Sequence, residues 1–484
     1  MKKSIFTMAV ALLVNSTMFG QFCENNKDGL NVFETPKTEK EFTGVKTTIG
    51  GGFTQGFQAL SHTNLATQNV SSGVDLNGLY RIRPGFNLAS ASLALKTELA
   101  DGVALNMELY LASRHHNETW VKGGYIQFNK LPFFKLDFVD NIMKYTTIKM
   151  GQMDVNFGDS HFRRSDGGNT ILNPFVENYI VDAFATEIGA EFDVNYNGFV
   201  GVLGVTNGLL KGSVDVVDST FKDKVVPMKD SLLSSGKNNP SLVLKLGYDK
   251  QLTDNLRVRL TGSLYMNAGV GSRNTMLSGD RTGSSYFGVM DYITGFGTSG
   301  STGSFTSGRF NPGFSDKITL LAGNLFLKYN VMDGLSVESF STLESGSGRS
   351  RTEATGDRKY SQLATDLIFR FGADENFFVG ARYNTVTAQQ YNATKLLAQT
   401  QVIPAYTRYT GVIAPTAKVD FAERGVGMYD VTINRLAVSA GWFITKNVMA
   451  KVEYVNQDYN NFSYNSIFSN GNFKGLTAQA IIGF

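Results

Sequence analysis

The chain has 484 residues, with 45 basic against 42 acidic side chains, and that near-balance excludes a nucleic-acid binder held by phosphate contacts. A single cysteine, Cys23, excludes a disulfide framework within one chain and a cysteine metal cluster. Charged residues make up 18%, below the roughly 25% of a typical soluble domain, so a surface facing something other than water enters the comparison.

In chain order, the first element is "MKKSIFTMAVALLVNSTMFGQF". Lys2 and Lys3 precede an apolar run from Ile5 to Val14 and a short polar-to-small stretch. That is the layout of a secretory signal peptide, and the run is shorter than the about 20 apolar residues of a membrane helix. Residues 1–20 are therefore expected to be the signal peptide, 21–42 a short periplasmic N-terminal segment, and 43–484 the functional domain. Gly20, Gln21 and Phe22 lack the small-residue context of a lipoprotein signal ahead of Cys23.

A first strand is expected at 44–53, where Val45, Thr47, Ile49 and Phe53 alternate with smaller residues. "LALKTELADGVALNMELYL" follows at 93–111. Leu93, Leu95, Thr97 and Leu99 sit two apart, as do Val103, Leu105, Met107, Leu109 and Leu111 beyond Asp101-Gly102. Period 2 is a strand signal, and Asp-Gly between two such runs is a hairpin turn. The same unit returns at 187–207, 242–266, 319–343, 363–386 and 436–455, with single strands at 119–128, 145–155 and 473–484. The stretch 129–144 is a long connection that could hold a short extra element.

The total is about sixteen strands, and connection lengths are segregated. Each hairpin turn is a few residues of Asp, Asn, Gly or Lys, whereas long polar connections lie near 54–84, 158–181, 208–240, 269–316, 344–359, 387–425 and 456–471. This predicts an all-β fold over residues 43–484: a transmembrane antiparallel β-barrel with short periplasmic turns and long external loops in a Gram-negative outer membrane. Tyr248, Tyr329, Phe371, Phe377, Phe199 and Trp442 lie beside the short turns, where barrels carry an aromatic girdle. The chain ends "GLTAQAIIGF", a strand closing on Phe484, which looks like the signal read by the barrel-assembly machinery. Outer-membrane lipid is the other expected partner.

With the leucines of 93–111 facing lipid, the alternate positions face the interior. Lys96, Glu98, Glu108, Lys245, Arg257, Arg259, Lys328, Glu338, Asp366, Arg370, Arg382, Lys451 and Glu453 are the candidate pore-lining residues. Barrels of this size leave an aqueous channel, and a lumen of both charge signs suits diffusion of small polar solutes. At least half of these charges are expected to pair along the wall. The segment "GQMDVNFGDSHFRRSDGGNTILNPFVENYIVDAF" (151–184) carries Arg163, Arg164 and Asp166 with apolar anchors Ile171, Leu172, Phe175 and Ile180. It is the candidate constriction loop, with an external lid as the alternative.

Gly151-Gln152 closing a strand, then Phe157-Gly158 and the cluster Arg163-Arg164-Ser165, resemble the phosphate-selective porin O and P family. The resemblance implies a homotrimeric outer-membrane channel passing anions. Asn156 stands where that family usually has Pro, and neither its arginine ladder nor its lysine cluster is placed on this sequence.

Other signals carry less. Gly295, Gly297 and Gly300 match a dinucleotide fingerprint but lie in a Gly/Ser loop with no helix after it. His115 and His116 are adjacent on one chain segment and would point opposite ways in a strand. With His62 and His161 the only others, no Ser/His/acid grouping can be assembled by spacing, and no enzyme, metal site or cofactor is expected. Two functions remain: a porin, or a barrel whose long external loops act in adhesion or as a subunit of a surface assembly.

Overall fold

The computed structural model describes residues 33–34, 37, 42–71, 74–79, 81–111, 120–166, 170–208, 240–268, 276–280, 282–292, 307–314, 316–349, 356–405, 414–421 and 423–484. Sixteen antiparallel strands close into a barrel. In chain order they are β1 (Lys46–Thr63), β2 (Ser90–Ala100), β3 (Val103–Tyr110), β4 (Trp120–Phe128), β5 (Thr146–Asp154), β6 (Thr186–Tyr196), β7 (Phe199–Thr206) and β8 (Ser241–Gln251). Then come β9 (Leu256–Asn267), β10 (Asp316–Met332), β11 (Leu335–Arg349), β12 (Asp357–Phe371), β13 (Phe377–Asn392), β14 (Gly427–Thr445), β15 (Val448–Asn460) and β16 (Gly471–Gly483). Each pairs with its neighbours in sequence, and β1 closes the ring by pairing with both β2 and β16. Phe484 completes the seam, its amide donating to the Gly51 carbonyl and its carbonyl accepting from the Gly51 amide. A small hairpin, Gln399–Ala405 with Ala414–Phe421, stands on the loop between β13 and β14.

The β2–β3 hairpin pairs Leu93 with Leu109, Leu95 with Met107 and Lys96 with Asn106. Gly102 turns it at φ 71°, and a Cβ there would meet Lys130 Cβ at 2.4 Å, so a larger residue is excluded twice over. Outward positions along the wall are aliphatic and exposed (Leu105, Leu203, Leu246, Leu260, Leu325, Leu367 and Val438), and inward positions are buried. A sheet with this exterior is stable in a hydrocarbon surround, because closure leaves no unpaired edge. Among the described residues no helix is long and apolar enough to cross a membrane.

The aromatic girdle is present at the short-turn end. Phe371 stacks on Phe377 (5.7 Å) and Phe377 on Trp442 (6.0 Å); Phe199 meets Tyr248 (5.2 Å) and Tyr145 meets Tyr196 (4.8 Å). The long inner connection holds one short helix, α1 (Asp137–Met143).

Strand ends depart from expectation on the long-loop side. β1 runs on to Thr63, and β10 to β14 are 17, 15, 15, 16 and 19 residues long, against 8 to 11 for β2 to β7. Crossing the hydrocarbon takes about 9–11 residues. Beyond that height the outer face meets water, the apolar half of the alternation fades, and the strand continues on its ladder alone.

Candidate functional site

The loop between β5 and β6 leaves Asp154 and turns inward. Phe175 and Ile180 are fully buried, and so are Phe157, Val176 and Val181 to within 1%. Such a segment has lost water for its peptide groups, so the wall must supply partners. Lys451 donates to the carbonyls of Thr170, Asn173 and Phe175 at 3.2, 2.9 and 2.8 Å. Glu453 accepts from the Val176 amide at 2.8 Å, and Arg382 donates to the Glu177 carbonyl at 2.6 Å. Asn384 accepts from the Ile180 amide (2.7 Å), and Gln362 both accepts from and donates to Val181 (2.9 and 3.0 Å). Arg435 donates to the Asn178 carbonyl at 2.6 Å.

The loop's own charges complete the seating. Asp159 takes Arg259 at 2.8 Å, Lys245 at 3.1 Å and the Thr261 hydroxyl at 2.7 Å. Burial alone would raise the Asp159 carboxyl, but Lys245 and Arg259 outweigh it and hold it below the carboxylate range. Arg163 pairs with Glu338, which also accepts from Arg370 at 3.1 Å. Arg164 forks onto Asp166 at 2.8 Å through two nitrogens and reaches Asp182 at 2.8 Å, with its guanidinium 3.9 Å from the Phe184 ring centre. Burial keeps the Asp166 carboxyl raised despite this pairing, whereas Arg164 and Arg309 together overcome burial at Asp182 and lower it.

A second inserted segment packs on the first. Met276, Leu277, Tyr286, Val289, Met290, Phe310 and Phe314 join Val155, Phe157, Ile180 and Val181 in one apolar cluster inside the barrel, walled by Ile318, Leu320, Val386, Val431, Ile433 and Val455. Arg309 ties the two loops, bonding Glu177 at 2.7 Å and Asp182 at 3.2 Å. Tyr286 donates to Glu453 at 2.5 Å.

The expected inward residues therefore fall into groups. Lys245, Arg259, Glu338, Asp366, Arg382, Lys451 and Glu453 all meet the constriction-loop segment, Asp366 through the Tyr179 hydroxyl at 3.3 Å. Others pair along the wall or its turns: Arg257 with Asp249 (2.9 Å), Lys328 with Glu375 (3.0 Å), Glu108 with Lys122 (3.3 Å), and Arg382 also with Asp366 (2.7 Å). Lys96 and Glu98 stay half-buried on β2. Arg163, Arg164 and Asp166 lie in the inserted loop, turned toward ion-pair partners rather than open solvent.

Arg435, Arg309, Glu177, Asp182 and Asp159 hold the loop as firmly as any expected residue. Arg435 is the inward position just before the predicted start of its strand at 436, and the others sit in connections where no alternation marks a face. His161 is buried beside Phe162 and its basicity is lowered, first by burial and then by Lys245. His62 accepts from the Met290 amide at 2.9 Å. No group of three potential metal ligands occurs among the described residues. Cys23, His115, His116, Gly295, Gly297 and Gly300 lie outside the described residues.

No protein-family model matches the chain, and no curated protein matches it. Among solved structures it is similar to an anion-selective porin from Comamonas acidovorans, at 9% identity and a TM-score of 0.47, over 91% of this chain and 100% of the other. It is similar to the outer-membrane channel DcaP of Acinetobacter baumannii (10%, TM-score 0.43, 92% and 99%) and to OprB of Pseudomonas putida (9%, TM-score 0.43, 91% and 94%).

Proposed function

We propose that the chain is an outer-membrane porin, a passive channel for small polar or anionic solutes, narrowed by the inserted loop between β5 and β6. The observation that carries this reading is the pair of arginines on Glu338. Arg163 and Arg370 share that one carboxylate, and Nε and Nη1 of Arg163 and both Nη atoms of Arg370 have no hydrogen-bond acceptor among the described residues. A buried donor without an acceptor costs about 1–3 kcal/mol, more when charged. Planar guanidinium donors match an oxyanion passing or pausing there. The finer reading, a phosphate-selective homotrimer, rests on the Gly151-Gln152 to Ser165 segment. The same reading takes residues 1–20 as a signal peptide, 21–42 as a periplasmic segment and Phe484 as the assembly signal.

The test is single-channel current in a planar bilayer with a salt gradient. Stepwise conductance with an anion-directed reversal potential supports the porin. Replacing chloride by phosphate separates phosphate selectivity from general anion preference. Arg163→Ala should weaken the preference for anions. A folded barrel that stays silent, as the parent and in variants that free its lumen alike, sinks the reading. It would favour the second one, a surface-assembly or adhesion subunit, to which the apolar cluster packed inside the long-loop half lends support.

A further inference from the structure

The segment ahead of β1 enters the lumen. Phe33 is 2% exposed, with its ring centre 5.3 Å from Phe326 on the wall and 5.9 Å from Phe162 of the inserted loop. The Arg259 guanidinium lies 4.3 Å from the Phe33 ring centre and Arg257 5.7 Å, within cation–π range. Next in sequence, Glu34 reaches Arg259 at 2.7 Å and Lys245 at 3.3 Å. At the short-turn mouth, Lys37 donates to the Asn129 carbonyl at 2.7 Å and to the Met143 carbonyl at the end of α1.

An aromatic knob and an anion thus share a seat at Arg259, and a cation from the same short stretch meets a second seat at the short-turn mouth. Glu34 is also the third carboxylate on the wall cations Lys245, Arg257 and Arg259, beside Asp159 and Asp249. Without it the cluster has one more cation than anion. Burial would raise the Glu34 carboxyl, but Lys245 and Arg259 prevail and hold it low, so it stays ionised in its seat.

We propose that Phe33, Glu34 and Lys37 form a latch: a tethered stopper that closes the periplasmic half of the lumen against the inserted loop. Its release widens the path and uncovers Lys245, Arg257 and Arg259 to solute. This rests on the porin reading. The experiment compares the full-length protein with Phe33→Ala/Glu34→Gln in planar bilayers. The freed variant should show single-channel conductance raised by about twofold or more, as a wider, wetter constriction requires, and a reversal potential moved toward anions. A silent parent with a conducting variant supports the latch equally. Equal conductance in the two overturns the latch and leaves the porin standing. Silence in both overturns latch and porin together. Phe33→Ala alone removes the knob without touching a charge, so it gives the same comparison if the double variant does not fold.

Discussion

Leu244, Lys245 and Leu246 are consecutive on β8, and they live in two solvents. Leu244 and Leu246 project from the barrel, 38% and 74% exposed. Lys245 projects the other way, fully buried, and reaches Asn156, the Gly158 carbonyl, Asp159 and Glu34. The outer residue needs only to be apolar, since any aliphatic side chain suits hydrocarbon. The inner residue needs particular partners, all distant in sequence. The outer face therefore tolerates exchange within a class, and the inner face tolerates little.

The contrast breaks most visibly if an inner cation is lost. Arg259→Leu leaves Asp159 and Glu34 short of a partner in a buried place, and unpairing buried charge typically costs about 3–5 kcal/mol. A denaturant midpoint in detergent or vesicles should show it, and a loss under about 1 kcal/mol would mean that water reaches the pair freely. On the outer face, Leu246→Arg near the middle of β8 should cost about 2–4 kcal/mol in lipid, while Leu246→Val should be nearly silent. Refolding into vesicles measures both; equal tolerance of Arg and Val would place this face in water. The girdle comes next. Phe377 stacks between Phe371 and Trp442, so Phe377→Ala should cost about 0.5–1.5 kcal/mol per lost ring pair, read in the same titration.

The smallest effect is the pH dependence of loop seating. Asp159, Asp182 and Glu177 have folded pKa values held below their ordinary 3.8, 3.8 and 4.5. A depressed folded value means that the unfolded chain binds the proton first, so the contribution is full above the ordinary range and is lost as pH falls through the lower folded values. Asp166, raised by burial, acts with the opposite sign and offsets part of the loss. The denaturant midpoint should fall in two steps, the first below about pH 6.5 as buried His161 takes up its proton only on unfolding, the second below about 4 as these carboxylates do. A drop already complete by pH 5 would show that the loop is held by something other than these pairs.

Much of the wall was legible because lipid imposes one rule on every second residue. Leu93 to Leu111 show it without interruption, and the turn at Asp101-Gly102 stands where the alternation predicts. The pattern was lost where the rule lapses: β12 begins at Asp357 and β14 at Gly427, well before the apolar alternation picks up. The lumen was legible only in part. Alternation could say that Lys451 and Glu453 face inward, and the apolar anchors Phe175 and Ile180 could say that their loop seeks burial. Neither could say that Lys451 caps the loop's carbonyls, or that Phe33 and Glu34 reach the wall at Phe326 and Arg259.

The sequence by itself determined a closed antiparallel barrel, its sixteen strands, the lipid-facing side of each and the segregation of short turns from long loops. These follow from local alternation and turn chemistry, which read out within a few residues. The tertiary structure alone decided what fills the barrel. Two loops and the N-terminal stretch enter the lumen because wall side chains remote in the chain, up to ten strands away, satisfy their peptide groups and charges, as Lys451 does for the loop after β5. Such long-range pairings leave no period in the sequence.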